Sequence, residues 1–426
     1  MSELGPNPLA AGENNISVDD ARRAIAQALV PIRGDERLPL REAVGRVLAD
    51  DVISPIDVPA HDNSAMDGYA FAGQVMQPGQ PTRLRSVGTV FAGTPFAGSL
   101  APGECVRIMT GAVMPAGCDT VVPLELCKAE GTADAVQVHI EPGIMRAGEN
   151  RRRQGEDLAR GKPALRAGRV LRPADLGLVA SLGFETVSVR RKLRVALFST
   201  GDEVIAPGEP LPPGCIYDSN RFALAAALQR LNMEVIDLGL VKDDRAALQR
   251  TLDEALQRAD VVLTSGGVSA GDADHTRELL ARLGEVAFWK VAMRPGRPFA
   301  FGPLQGPQGQ RSWLFGLPGN PVAALVTFYA FAREALLQLA GATPQPLPVL
   351  QARSVAAIRK RPGRTEFQRG IVSPAPDGWE VRLTGSQGAG VLRSMSEANA
   401  LVVLRHQQAS VPEGGLVDVW LFDGLV

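Results

Sequence analysis

Between residues 193 and 341, short apolar runs alternate with longer amphipathic stretches, and this is the strongest pattern in the chain. The runs at 193–199, 235–240 and 260–264 are strand-sized and are followed by Gly, Ser, Thr or Asp, which predicts buried strands. The stretches at 220–231, 244–259 and 275–283 carry helical spacing. Further strands are expected at 286–291, 299–302 and 313–316, then a long helix over 322–339. Alternating strands and helices predict a doubly wound, mainly parallel αβ domain over 191–341.

The pattern differs on either side. Residues 1–15 are polar, without an apolar leader, and read as a disordered lead. A helix should begin near 17–23, with Ser17 or Asp19 as N-cap, and a second short helix is expected over 42–49. From 52 to 150, short β-like runs (82–87, 104–109, 120–123, 135–140) are separated by Gly/Pro turns, which predicts a small β-rich domain. Helical spacing resumes over 169–182, so the β domain reads as inserted into a discontinuous helical domain of 16–51 plus 151–190. A Pro-rich linker at 341–348 leads to a C-terminal β-barrel or sandwich over 345–426.

A formal charge of −1 argues against a general nucleic-acid binder. Cys105, Cys118, Cys127 and Cys215 form no CxxC pair, which suits reduced, structural thiols in a cytoplasmic protein. Scattered histidines give no zinc pattern, and the longest apolar stretch, 322–332, is shorter than a bilayer span. No membrane role is expected.

Ligands of a doubly wound sheet bind beyond the carboxyl ends of its strands. That rim collects Thr200-Gly201-Asp202-Glu203, then Asp243 and Asp244, then Ser265-Gly266-Gly267-Val268-Ser269 with Asp272 and Asp274. A Gly/Ser loop between strand and helix is a phosphate cradle, and carboxylates beside a phosphate call for a bridging Mg²⁺. Helix capping is the alternative role for Asp243 and Asp244. Lys290, Arg294 and Arg297 follow at the same rim, held by Pro295 and Pro298, and suit an oxyanion. Pro318, Asn320 and Pro321 open the long helix, with Asn320 a candidate N-cap. Outside this domain, the polar segments 61–70 (with Ser64 and Asp67) and 148–157 (with Asp157) have no evident task unless a second surface closes over the αβ site.

Taken together, 62–69, 107–111, 148–157, 197–203, 265–274, 288–290, 295–302 and 316–321 resemble the molybdopterin molybdenumtransferase family, called MoeA in bacteria and the gephyrin E domain in animals. The resemblance implies an elongated, L-shaped, four-domain subunit in a homodimer. It also implies a reaction in which adenylylated molybdopterin, molybdate and Mg²⁺ give molybdenum cofactor and AMP, with transient contact to a pterin adenylyltransferase. It assigns Glu203 and Asp274 to Mg²⁺ and phosphate, Gly266, Gly267 and Ser269 to a phosphate cradle, and Lys290, Arg294 and Arg297 to the oxyanion. Asp67, Thr110 and Asp157 become cleft residues, and Arg369 a C-terminal contributor. Two departures stand out: Arg294 and Arg297 replace the usual lysines, and Ala389 stands where many members carry serine. Competing readings are a pterin adenylyltransferase or nucleotide pyrophosphatase on the same αβ fold, and a non-enzymatic scaffold.

Overall fold

The computed structural model describes residues 15–425, except 133–135, 268–278, 281 and 307. The described residues form two compact units. One comprises the chain up to Ala49, Gly168–Arg172 and the chain from Thr186 onward; the other comprises Asp50–Ala167 and Pro173–Glu185.

The first unit is built on a six-stranded sheet: β1 (Arg194–Thr200), β2 (Glu234–Val241), β3 (Val261–Ser265), β4 (Ala287–Lys290), β5 (Pro298–Gln305) and β6 (Arg311–Leu317). Their order is β2-β1-β3-β6-β5-β4. The first four in that order are mutually parallel, and β5 runs antiparallel to both neighbours. Strand periodicity divides the core between two faces. Val195 and Leu197 pack with Leu224 and Leu228 of the helix Asn220–Arg230 and with the helix from Pro321. Ala196 and Phe198 pack with Leu248, Leu252 and Leu256 of the helix Arg245–Arg258. Asp244 caps that helix, accepting from the N–H groups of Ala246 and Ala247, so capping is its structural task. The expected helix at 275–283 falls mostly outside the described residues.

Pro321–Leu339 is long and apolar enough by composition to cross a bilayer, which corrects the shorter span expected from sequence. Most of it is buried, and its side chains pack in the αβ core, so its apolar character is accounted for by protein contacts.

Five strands at the C-terminus close into a barrel: Leu350–Ser354, Thr365–Ala375, Gly378–Leu383, Ala400–Leu404 and Leu416–Leu421. Closure comes from Thr365–Ala375, which pairs with both Gly378–Leu383 and Ala400–Leu404. Met293–Arg294 adds to it in parallel, opposite Thr365 and Glu366, so the chain segment after β4 joins the barrel to the αβ layer.

At the N-terminus, Ser17 caps the helix Val18–Ala28 by accepting from the Asp20 N–H. The short helix expected over 42–49 does not form. Only Leu40–Glu42 makes a 3₁₀ turn, Gly45 takes φ +74°, and Val47 and Leu48 form β-bridges with Val170 and Val189. The bridge at Val170 also delays the expected helix at 169 until Pro173, a residue suited to a first helical position.

The second unit contains a six-stranded sheet in the order Thr120–Pro123, Gly68–Phe71, Glu104–Ile108, Thr82–Val90, Val136–Ile140, Lys128–Glu130. Gly68 is required there, because a Cβ would lie 2.0 Å from the Val122 carbonyl oxygen.

Candidate functional site

A cavity of about 650 Å³ opens at the carboxyl ends of β1, β3 and β6. Glu203, Asp243, Ser265, Gly266, Gly267, Asn320 and Pro321, all expected from sequence, line it. Ser269 and Asp274 lie outside the described residues. Gly266 has φ +97°, and a Cβ on it would sit 2.4 Å from the Thr200 carbonyl oxygen. Only glycine lets β3 turn this sharply against the end of β1. The helix beginning at Pro321 points its N-terminus into the cavity wall. The Asn320 side chain makes no capping hydrogen bond, and the Val322 N–H is taken by the carbonyl of Ala389 from the C-terminal region. Gly390 and Leu392 from that same region complete the lining. Pro318 is buried behind it, and its carbonyl accepts from the Ser265 hydroxyl at 3.4 Å.

Sequence reading passes over several residues that line this cavity, among them the polar run Asp218, Ser219 and Asn220. Asp218 is buried, accepting from Ser199 Oγ at 3.1 Å and from Arg221 Nε at 2.9 Å. The signal that marks them is a polar triplet opening a helix at the carboxyl rim of a parallel sheet, which on its own is indistinguishable from an ordinary helix start.

A second cavity of about 740 Å³ is strongly basic, lined by Arg294, Arg359, Lys360, Arg361 and Arg364, with Glu366 as the acid. Arg364 Nε holds Glu366 at 2.8 Å. Lys360 is buried and donates to the carbonyls of Arg361, His406 and Gln408; burial lowers its pKa. Gln387 lines this cavity and Gly390 the first, so the 387–390 loop reaches both. Arg369 lies fully buried against that loop. It donates to the carbonyls of Ser386 (3.2 Å) and Gly388 (3.0 Å) and to Ser394 Oγ (2.9 Å). Its Nη1 is buried without a hydrogen-bond partner. Burial, then the nearby Arg294 charge, brings this guanidinium down to about 10. Ser394 is committed to Arg369 and to the Val391 carbonyl, so its hydroxyl does not substitute for the one Ala389 lacks. Lys290 and Arg297 are exposed and line neither cavity; Arg297 donates to Asn15 at 3.0 Å.

The remaining expected residues belong to the second unit. Asp67 and Thr110 are brought together: Asp67 Oδ1 accepts from the Thr110 N–H at 2.6 Å and its hydroxyl at 2.7 Å. Those two bonds hold the exposed carboxyl below its usual range. The Ser64 hydroxyl is buried and donates to the Met66 carbonyl, and the Asp157 N–H bonds to Val58. Burial pushes the Cys105 and Cys118 thiols up to about 12 and about 11, as expected for unreactive structural cysteines.

Three family models match the sequence in succession: MoeA N-terminal region (domain I and II) over 16–183, probable molybdopterin binding domain over 196–338, and MoeA C-terminal region (domain IV) over 351–422. A molybdopterin molybdenumtransferase of Haemophilus influenzae is 40% identical over 415 residues, covering 96% of this chain and all of that protein. One from Nostoc is 37% identical, covering 89% of this chain and 87% of its own. The crystal structure of a molybdopterin biosynthesis moeA protein from Pyrococcus horikoshii superposes with a TM-score of 0.80 at 27% identity, covering 96% of this chain and all of that one. With matches running through both units and both ends of the described fold, the chain belongs to the MoeA family of molybdopterin molybdenumtransferases.

Proposed function

We propose that this protein transfers molybdenum from molybdate to adenylylated molybdopterin in a Mg²⁺-dependent reaction that releases AMP. One observation carries the reading: a Gly-lined cavity at the carboxyl rim of the sheet contains three carboxylates, of which Asp218 is held by Arg221, and one loop links it to a cavity rich in fixed positive charge.

The parts divide the work by chemistry. Gly266 and Gly267 bring backbone close to a phosphate, and the helix opening at Pro321 supports the negative charge from the other side. Glu203 and Asp243 would repel that phosphate alone, so they are the described residues that would hold Mg²⁺, which typically takes one or two carboxylates plus substrate oxygens. Asp274 is assigned to the same task from the family resemblance. The donor chemistry fits: Glu203 and Asp243 offer hard carboxylate oxygens on one cavity, and Mg²⁺ takes its remaining ligands from substrate oxygens and water. When bound, the ion supplies neutralisation of pyrophosphate charge during P–O cleavage. Arg294, with Arg369 behind the connecting loop, supplies the positive field for molybdate; Lys290 and Arg297 extend it at the surface. Pro318 and Ser265 set the floor of the phosphate cavity, and Asn320, whose side chain is not spent on a cap, lines it.

Asp67, Thr110 and Asp157, with Ser64 shaping the Asp67 turn, act as cleft residues supplied by the second unit in a cytoplasmic homodimer. The adenylylated substrate arrives by transient contact with the adenylyltransferase that makes it.

Single-turnover AMP release, with Mg²⁺ and with or without molybdate, tests the reading. Molybdate-dependent release, abolished in Asp274→Ala, is expected. Release indifferent to molybdate would replace it with a pyrophosphatase, and no release would leave a scaffold.

A further inference from the structure

Asn220 stands at the first position of the helix Asn220–Arg230, where its side-chain oxygen accepts only a long bond from the Ser219 hydroxyl at 3.4 Å. The N-cap residue, Ser219, makes no side-chain capping bond. The Asn220 side-chain amide instead donates to Ser265 Oγ at 2.8 Å and to the Gly319 carbonyl at 2.6 Å. Those two acceptors sit at the end of β3 and on the turn that follows β6. The loops are in near contact, since a Cβ on Gly319 would lie 3.8 Å from the Gly266 Cα. Ser265 adds a weaker bond to the Pro318 carbonyl at 3.4 Å.

A single half-buried amide therefore joins three segments around one cavity: the start of the helix after β1, the end of β3 and the turn after β6. Both of its N–H donors are spent on opposite walls. Side-chain oxygen could not replace them, because the Gly319 carbonyl accepts and does not donate.

We infer that Asn220 is a positioning residue for phosphate binding: it fixes the separation of the Ser265-Gly266-Gly267 loop from the Gly319-Asn320 turn, so that both meet the same phosphate group. The inference rests on the reading that a nucleotide phosphate occupies this cavity, and it adds the device that holds the cavity to width before the ligand arrives. A site preset in this way spares the ligand the cost of ordering two loops. Asn220 touches no reacting atom in this account. Its effect falls on ground-state binding, and so on KM more than on the rate at saturation.

The test is calorimetric titration of the full-length protein with AMP, for wild type, Asn220→Ala and Asn220→Asp. Losing two hydrogen bonds across the cleft should weaken AMP binding by about ten- to a hundredfold. Asn220→Asp, which keeps the shape and removes both donors, should lose at least as much as Asn220→Ala. The KM for adenylylated molybdopterin should rise by a similar factor while the saturating single-turnover rate changes less than about threefold. Hydrogen exchange at 265–267 and 317–320 should accelerate in both variants with the barrel strands unaffected. Wild-type protein that fails to bind AMP would remove the nucleotide reading itself. Wild type that binds AMP, with both variants binding it within twofold, would overturn the role of Asn220 alone. Equal losses in KM and saturating rate would also overturn it.

Discussion

Gly266→Ala is the sharpest test of how the phosphate cavity is built. A methyl group there meets the Thr200 backbone carbonyl oxygen at 2.4 Å. Relief to 3.0 Å, the closest separation that real Cβ atoms adopt, needs a displacement of at least 0.6 Å. The obstacle is backbone in β1, a buried strand hydrogen-bonded on both sides, so the Gly266 loop must yield instead. That movement strains the Gly266 N–H bond to the Leu317 carbonyl, now 3.0 Å, and shifts the loop against Gly319. The φ of +97° adds a conformational penalty for any L side chain. Strain of this kind costs about 1–3 kcal/mol in stability, which a folded protein of this size tolerates. The functional cost is larger in relative terms, because a misplacement approaching 1 Å costs on the order of 10²-fold in rate. Scanning calorimetry should show a modest fall in Tm, and single-turnover AMP release should show a loss of about 10²-fold. Activity within threefold of wild type would refute the claim that the backbone at Gly266 approaches the phosphate.

Two further outcomes follow from other sites. Thr110→Val removes the hydroxyl donor to Asp67 while leaving the backbone one. The charged carboxylate loses support, so its pKa rises, and the acid limb of the kcat/KM profile should move to higher pH; an unmoved limb would exclude Asp67 ionisation from the reaction. Asp260 accepts two bonds from Arg191 at 2.7 and 2.8 Å and one from the Arg194 N–H at 2.9 Å. Burial alone would raise its pKa, but these donors outweigh burial and lower it. Its contribution to stability is thus present above the unfolded-state pKa of about 3.9 and is lost as pH falls through the folded value. Asp260→Asn leaves Arg191 partly buried without its counter-charge and should cost about 3–5 kcal/mol at pH 7 by urea denaturation, with a loss below 1 kcal/mol contradicting the assignment.

Local chemistry wrote a large share of this molecule directly into its sequence. The strand at 120–123, the Asp244 cap and the strands of the αβ sheet follow from side-chain period and capping, which act over a few residues. Seven of the expected site residues gather in one cavity for the same reason, since a parallel sheet delivers whatever follows its strands to one rim. Long-range pairing decided the rest. The segment at 42–49 has helical spacing, but bridges from Val47 to Val170 and from Leu48 to Val189 outweigh that weak local preference. Arg369, expected as a C-terminal contributor to the site, is fully buried, because barrel closure covers the strand that carries it. Asn220 reads as a helix start, and only the approach of loops 45 and 99 residues further along the chain gives its amide two acceptors. Residue type and spacing determined which chemistry the chain carries; the folded arrangement decided which polar groups spend their hydrogen bonds on the scaffold and which remain for a ligand.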